Sequence, residues 1–104
     1  MTIISQDVNV SLVLSRLFKR NYAIMVIIYY RELNNKKSTV IHLSKESGLR
    51  TQNTYQVLRR LRKMGLVCRG AKVSVEGEMR SNYILTEKGK EELEVLLLIL
   101  NGEL

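Results

Sequence analysis

Amide and guanidinium side chains are concentrated in one short stretch of the chain, residues 51–63. Within it, the paired donor and acceptor atoms of Gln52, Asn53 and Gln56 match the major-groove edge of adenine. A guanidinium such as that of Arg59 can bind guanine or a phosphate. This stretch therefore has the chemistry to contact both the base edges and the sugar–phosphate backbone of a nucleic acid.

Positive charge is concentrated in the middle third of the chain. The 104 residues carry 17 Lys and Arg against 10 Asp and Glu, a net charge of +7. Residues 36–72 hold ten of the cations and one acid, whereas residues 73–104 hold three cations and seven acids. A membrane-surface role would require an apolar helix face rich in Trp or Phe, but the chain has no Trp and one Phe. The clustering favours a nucleic-acid partner over a merely solvated surface.

Few side chains are available for catalysis or metal binding. With one Cys and one His, the chain cannot form an internal disulfide or a Cys-based zinc site, and it has no glycine-rich phosphate loop. We therefore predict no enzymatic activity, no metal and no cofactor. Cys68 is either a redox-sensing thiol activated by the neighbouring Arg69 or a small strand residue. His42 is either a phosphate contact or an ordinary surface residue.

The periodicity of residues 51–64 predicts an amphipathic helix with Gly65 as its C-cap. At about 100° per residue, one-third of the helix circumference carries one Thr and four apolar residues, while the amides and cations occupy the opposite arc. The residues expected to face the core are Thr54, Val57, Leu58, Leu61 and Met64.

A shorter helix precedes this one. Thr39 is a suitable N-cap for residues 40–47, and Gly48 is placed to end that helix in the left-handed conformation. Two short helices joined by Gly48-Leu49-Arg50 are typical of a helix-turn-helix.

Further helices are predicted on the N-terminal side of this motif. We expect one at residues 11–18, although the alternation of residues 8–14 also allows a strand start. Asn21 is expected to cap a second helix at residues 22–33, which is apolar nearly all round and therefore buried on most sides.

A hairpin and a last helix are predicted on the C-terminal side. Residues 66–75 and 82–85 have the composition of strands, with Glu76-Gly77-Glu78 as the turn. Because this connection is long for a hairpin, we expect its tip to be mobile. Thr86 is expected to cap a final helix at residues 87–101.

Three segments have the order and spacing of a known family. Residues 43–49 (Leu-Ser-Lys-Glu-Ser-Gly-Leu), 58–67 (Leu-Arg-Arg-Leu-Arg-Lys-Met-Gly-Leu-Val) and 85–89 (Leu-Thr-Glu-Lys-Gly) are similar to three motifs of the winged helix-turn-helix domains of MarR, ArsR and PadR regulators. The resemblance implies a mainly α fold with a small β-hairpin, a winged helix-turn-helix with additional terminal helices. Arg50 stands where the family often has a Ser or Thr cap, so Thr51 is expected to take that role.

On this basis residues 1–104 are expected to form one winged-helix DNA-binding domain. It would comprise N-terminal helices at 11–33, the helix-turn-helix at 39–64, the wing at 66–85 and a C-terminal dimerisation helix at 87–101.

The resemblance also implies which residues contact DNA. In the family the first turns of the second helix of the motif enter the major groove, so the expected readers of bases are Thr51, Gln52, Asn53, Tyr55 and Gln56. The angle of Tyr55 on the helix places its side chain outwards. Glu76 and Glu78 at the wing tip would repel DNA, so wing contacts are expected from its flanks. The expected DNA-binding residues are Arg50, Thr51, Gln52, Asn53, Tyr55, Gln56, Arg59, Arg60, Lys63, Arg69, Lys72 and Arg80.

Six consecutive apolar residues, 95–100, exceed the single stripe that a surface helix needs. A two-fold partner is the commonest cover for such surface, so we predict a homodimer through the terminal helices. The alternative is that the N-terminal helix folds over the C-terminal helix within one chain. A dimer would hold two reading helices about 34 Å apart on a palindromic site. The expected interface residues are Leu14, Leu17, Leu93, Leu96, Leu97 and Leu100.

The leading hypothesis is a sequence-specific regulator of transcription, a dimeric repressor that blocks polymerase. One alternative is a DNA-coating architectural protein, against which the exposed amides argue, because coating needs mainly cations. The other is a protein-interaction adaptor, which would not need the positive charge of residues 36–72. Double-stranded DNA and a second copy are the expected partners, and a small-molecule effector stays open.

The longest apolar run, residues 22–30, is nine residues against about 20 for a bilayer span, and no basic signal region is present. We therefore expect no membrane and a cytoplasmic, nucleoid-associated protein.

Overall fold

Four helices and one β-hairpin make up residues 20–102, the part of the chain that the computed structural model describes. The winged helix-turn-helix predicted from the sequence is confirmed by their order and packing. The helices are α1 (Arg20–Leu33), α2 (Val40–Ser47), α3 (Thr51–Lys63) and α4 (Glu87–Leu100), and the antiparallel strands are β1 (Val67–Val75) and β2 (Glu78–Leu85).

The helix-turn-helix forms as predicted, with one change at the start of α3. Thr39 is the N-cap of α2, and Gly48 ends that helix with a φ of +75°. Glycine adopts this left-handed conformation without the steric penalty of a Cβ. The N-cap of α3 is Arg50, whose backbone is extended and whose side chain makes no cap hydrogen bond. Thr51 is the first helical residue, so the expectation that it caps α3 is wrong.

Side chains from the helices and the base of the hairpin meet in one core. α1 contributes three residues of zero exposure, and α3 packs against them with the face that its periodicity predicted. Thr54 is tolerated among these apolar residues because its hydroxyl donates to the carbonyl oxygen of Arg50 (3.0 Å). The core residues of α1 and α3 include Ile24, Met25, Ile28, Thr54, Val57, Leu58 and Leu61.

The hairpin is longer and its turn is tighter than the sequence predicts. β2 begins at Glu78 rather than Asn82, so only Glu76 and Gly77 connect the strands. Both have a positive φ, 52° and 83°, as a two-residue type I′ turn requires. Val75 pairs with Glu78 directly beside the turn, and the prediction of a long connection is therefore wrong.

A β-bulge connects the hairpin to the helix-turn-helix. Gly70 and Ala71 of β1 lie opposite Asn82 alone, where the register shifts. The side-chain oxygen of Asn82 accepts the backbone N–H of Ser38 (2.6 Å), and the N–H of Tyr83 donates to the carbonyl oxygen of Ser38 (2.8 Å). These bonds fix the hairpin against the residues that lead into α2.

Thr86 and Gly89 hold the start of α4 against the end of α3. The hydroxyl of Thr86 accepts the N–H of Gly89 (3.0 Å), which confirms it as the N-cap, and donates to the carbonyl oxygen of Gly65 (2.6 Å). A Cβ on Gly89 would overlap the carbonyl oxygen of Leu66. The Leu-Thr-x-x-Gly spacing therefore permits close packing of α4 on the first residues after α3.

Two predicted helix ends differ from those observed. Asn21 lies inside α1 and is not its N-cap. α4 ends at Leu100, with Asn101 in the capping position. The helix predicted for residues 11–18 lies outside the described residues.

Candidate nucleic-acid interface

The outward face of α3 carries most of the side chains predicted to contact DNA. Tyr55 is 44% exposed and so points away from the core, whereas Asn53 is half-buried. No acidic residue occurs in α3. The exposed residues from its N-cap to its last turn are Arg50, Thr51, Gln52, Tyr55, Gln56, Arg59, Arg60, Arg62 and Lys63.

The hairpin lies along one edge of this face. Nη1 of Arg80 is 3.5 Å from the hydroxyl oxygen of Tyr55. A cleft of about 220 Å³ between α3 and the hairpin is lined by the predicted wing cations, Arg69, Lys72 and Arg80. Burial raises the pKa of Tyr83 beneath this cleft, so its phenol stays neutral. The structure thus brings the predicted wing residues next to the predicted reading helix.

The two acids at the wing tip are paired with cations of the protein. Oε2 of Glu78 is 2.6 Å from Nη2 of Arg80, and Oε1 of Glu76 is 3.5 Å from Nζ of Lys45 in α2. Both carboxylates are largely exposed. The Lys45–Glu76 pair is exposed at both partners, and ion pairs of this kind contribute little stability.

A larger cleft opens at the other end of α3. It has a volume of about 620 Å³ and lies between the last turns of α3 and the start of β1, where Cys68 is half-buried in its wall. Arg69 lines this cleft as well as the smaller one, so the two share a boundary. The charged residues that line it are Arg59, Arg62, Lys63 and Arg69.

The sequence profile of the transcriptional regulator PadR-like family matches residues 39–95, which is more than half of the chain. The chain belongs to the PadR-like family. The matched range runs from the N-cap of α2 through the hairpin into α4. No curated protein sequence matches this PadR-like chain.

Solved structures share the fold of the PadR-like chain. A Staphylococcus aureus MepR mutant bound to an oligodeoxyribonucleotide aligns with a TM-score of 0.73 at 18% identity, covering 88% of this chain and 65% of its own. A MarR family transcriptional regulator from Silicibacter pomeroyi aligns with a TM-score of 0.70 at 21% identity, covering 96% and 63%. Staphylococcus aureus MarR in complex with salicylate and kanamycin gives 0.67 at 17% identity, covering 86% and 57%. The chain spans less than two-thirds of each of these three proteins.

α4 of the PadR-like chain presents only part of the predicted dimer surface. Leu93 and Leu96 are 0% and 1% exposed within the single chain, in the core that α1 shares with α4. Their placement in the interface is corrected, because a side chain buried in its own chain offers no surface to a partner. Leu97 is half-buried, Leu98 is 36% exposed, and Leu100 ends the helix. The remaining two predicted residues, Leu14 and Leu17, lie outside the described range.

His42 has a structural role that the sequence interpretation missed. Its Nδ1 accepts the backbone N–H of Thr39 (3.2 Å) and lies 2.9 Å from the hydroxyl oxygen of the same residue. Burial lowers the pKa of His42, and the Arg31 guanidinium lowers it further. The ring therefore caps α2 as a neutral imidazole. The Thr-x-x-His spacing is that of a capping box, with histidine in place of the usual Glu or Gln, and is the signal that identifies it.

Arg31 is a second residue that the sequence interpretation missed. Its Nε and Nη2 donate to the carbonyl oxygen of Lys37 (2.9 and 2.5 Å), and its Nη1 lies 2.6 Å from Oε2 of Glu46 in α2. Glu46 is the single acid of residues 36–72. Because that carboxylate is neutralised from α1, it leaves the positive field of the helix-turn-helix nearly undiminished.

Within residues 20–102, no three or more His, Cys, Asp or Glu side chains are grouped as a metal ion would require. Over the same range, no helix combines the length and the apolar character needed to cross a membrane.

Proposed function

We propose that this PadR-like protein is a sequence-specific, DNA-binding regulator of transcription. The observation that carries the proposal is the outward face of α3, which exposes amides and cations and contains no acidic residue. This face lies next to the cation-lined cleft at the hairpin. Amides and guanidinium groups suit base edges, and clustered cations suit phosphates. The DNA-bound MepR structure, which has the same fold, supports the proposal.

The two ends of α3 are assigned different tasks. Gln52 and Gln56, exposed in the first half of the helix, are proposed to read base edges in the major groove, with the half-buried Asn53 at the margin of that surface. Arg60 and Lys63, towards the end of the helix, are proposed to bind phosphates. Such contacts set the register of the protein on the duplex without reading sequence.

We further propose that the protein acts as a homodimeric repressor. Two copies related by a two-fold axis would place their α3 helices about 34 Å apart on a palindromic operator and exclude polymerase from it. Acting on chromosomal DNA, it would reside in the cytoplasm with the nucleoid. A small-molecule effector is compatible with this proposal, since a MarR structure of the same fold holds salicylate and kanamycin.

A DNA-coating architectural protein is the second candidate. The concentration of cations over residues 36–72 favours it, because non-specific binding needs little beyond phosphate contacts. The exposed amides of α3 favour sequence reading instead, since coating DNA does not require them.

Selection of bound duplexes from a random pool tests the proposal. Wild-type protein is expected to enrich a palindromic motif, and Gln52→Ala to relax preference at one base pair of each half-site by about 1–3 kcal/mol. Arg60→Ala is the matched control on the same helix and is expected to weaken all sequences alike. Binding without enrichment would support the architectural role, and a protein that binds no duplex would refute both.

A further inference from the structure

The larger cleft, at the C-terminal end of α3, is not accounted for by base reading. It lies between the last turns of the helix and the start of β1, whereas the amides that suit base edges lie in the first half of α3. We infer that this cleft binds the phosphate backbone of one DNA strand beside the sequence that α3 reads, with Arg62 as a phosphate contact. The inference rests on the proposed DNA-binding function and assigns the phosphate contact of Arg62 to this cleft, beside Arg69 of β1.

All the charged residues that line the cleft are positive. The four cations that line it are accompanied by no acid. The ion pairs found among residues 20–102 engage other cations, namely Arg31, Lys45 and Arg80. Four uncompensated like charges repel one another, so a polyanion in the cleft relieves that repulsion, and concave walls raise the local anion concentration further.

Helix capping does not explain the cluster. Cations near a helix C-terminus often bind its last carbonyl groups. Here those groups have other partners: Nζ of Lys88 donates to the carbonyl oxygen of Met64 (3.0 Å), and the Thr86 hydroxyl donates to that of Gly65. Arg62 and Lys63 are exposed and free of this task.

The position of Arg62 on α3 indicates a backbone contact rather than a base contact. Seven residues separate it from Tyr55, about two helical turns, so both side chains lie on the edge of the helix that faces the hairpin. Tyr55 meets Arg80 at the smaller cleft, and Arg69 lines both clefts. A strand that follows this shared edge would pass Arg80 and Arg69 and reach Arg62 at the far end.

Cys68 provides a reporter for this path. It is the one cysteine of the chain, and its half-buried side chain lines the cleft. The rate at which iodoacetamide alkylates this thiol, monitored by the mass of the intact protein, therefore measures access to the cleft. Because iodoacetamide is uncharged, the negative charge of DNA does not exclude it electrostatically. We expect a saturating duplex to slow alkylation in proportion to the fraction of protein bound.

The second readout is the salt dependence of affinity. Arg62→Gln is expected to reduce the slope of log K against log salt concentration by about 0.9, one phosphate contact, equally for selected and random duplexes. Arg62→Lys should retain the slope, since it keeps the charge. Arg20→Gln is the matched control, because Arg20 is an exposed cation at the start of α1 and does not line the cleft. The Tyr22 hydroxyl donates to Glu92, so this end of α1 lies against α4. The slope of Arg20→Gln should match that of wild type.

The outcomes separate this inference from the proposed function. Wild-type protein that binds no duplex refutes the proposed function itself. Protein that binds DNA while Cys68 is alkylated at the free rate, or while Arg62→Gln keeps the full slope, overturns the inference and leaves the function standing. Because Arg62 is exposed, its variants are expected to fold, and thermal unfolding followed by circular dichroism verifies this.

Discussion

At the scale of single residues, Gly89 shows how one missing methyl group determines a packing distance. The start of α4 approaches the carbonyl group of Leu66 so closely that a Cβ at position 89 would overlap it. The added Cβ would be attached to the backbone of α4 and would meet the backbone of Leu66, and neither backbone has much room to move. We expect Gly89→Ala to lower the free energy of unfolding by about 1–3 kcal/mol, as other overpacked substitutions do.

Urea unfolding at equilibrium measures this effect. Glu91→Ala, two residues further along α4 and exposed, is the control and is expected to stay within about 0.5 kcal/mol of wild type. A Gly89→Ala protein as stable as the control would show that the junction between α3 and α4 adapts to a side chain.

His42 makes stability depend on pH. The cap on α2 requires an unprotonated Nδ1, and burial followed by the Arg31 charge lowers the pKa of the ring below its ordinary 6.5, with Lys45 acting in the same direction and Glu46 and Glu76 opposing. As pH falls through 6.5, the unfolded chain takes up the proton before the folded protein does. The contribution of His42 is therefore complete above pH 6.5 and declines below it, until the folded protein is protonated as well.

The free energy of unfolding of wild type and His42→Gln, measured between pH 5 and 8, tests this sign. Glutamine at this position retains an acceptor for the Thr39 N–H but does not titrate. The wild-type protein is expected to lose stability relative to the variant as the solution is acidified below pH 6.5. Parallel curves for the two proteins would contradict the linkage.

At the scale of elements, the placement of the hairpin depends on one amide side chain. Asn82 in the bulge accepts the backbone N–H of Ser38, a residue only 1% exposed, at 2.6 Å. Asn82→Ala would leave that buried donor unpaired, which destabilises proteins by about 1–3 kcal/mol. We expect this loss together with faster hydrogen exchange at the Ser38 amide and weaker DNA binding, because the hairpin cations lose their fixed position beside α3.

Asn82→Asp retains an acceptor oxygen at the same place and is the control. It is expected to keep slow exchange at Ser38. Equal exchange rates in wild type and Asn82→Ala would show that other contacts of the hairpin suffice to hold it.

Local patterns predict the helix-turn-helix well, because its signals are contained in neighbouring residues. The apolar period of α3 and the glycine at position 48 suffice to place both helices. The extent of β2 could not be predicted in this way: Glu78 and Arg80 have no special strand preference and are extended because β1 pairs with them. The cap of α3 was misplaced because Thr51 is the better capping residue by type, whereas the chain reaches its extended conformation at Arg50.

In the candidate site too, features set by neighbouring residues could be predicted from the sequence, whereas features set by contacts between helices could not. Exposure of Gln52 and Gln56 follows from the periodicity of α3. The pairing of Arg31 with Glu46, and the burial of Leu93 behind α1, depend on which helices meet. Contacts between elements distant in sequence leave no local pattern, so these features required the structure.

At the scale of the whole molecule, the positive charge and the apolar run of α4 belong to different parts of the chain. The middle third of the chain, with α2, α3 and β1, is strongly positive, whereas residues 73–104 carry a net negative charge. α4 keeps Leu98 36% exposed after its inner stripe is buried, and α1 leaves Leu33 60% exposed. None of the residues proposed to contact DNA lies on α4, so its exposed apolar side chains stay available to a second copy.

We therefore expect a dimer in solution, in which α4 contributes the outer residues of its apolar run. Leu98→Glu introduces a charge that would be buried in the interface but is tolerated in a free chain, because the side chain is exposed there. The variant is expected to sediment as a single 12.0 kDa chain and wild type at twice that mass. Leu33→Glu, which is more exposed and lies on α1, is the control for loss of apolar surface alone and should remain dimeric.

DNA binding reports on the same interface. A dimer gains affinity from the second half-site because the second contact is intramolecular, whereas a monomer does not. Leu98→Glu should therefore bind a duplex with one half-site as wild type does and lose the added affinity of the full palindrome. Wild-type protein that sediments at 12.0 kDa at micromolar concentration, and binds full and half sites equally, would refute dimerisation through α4.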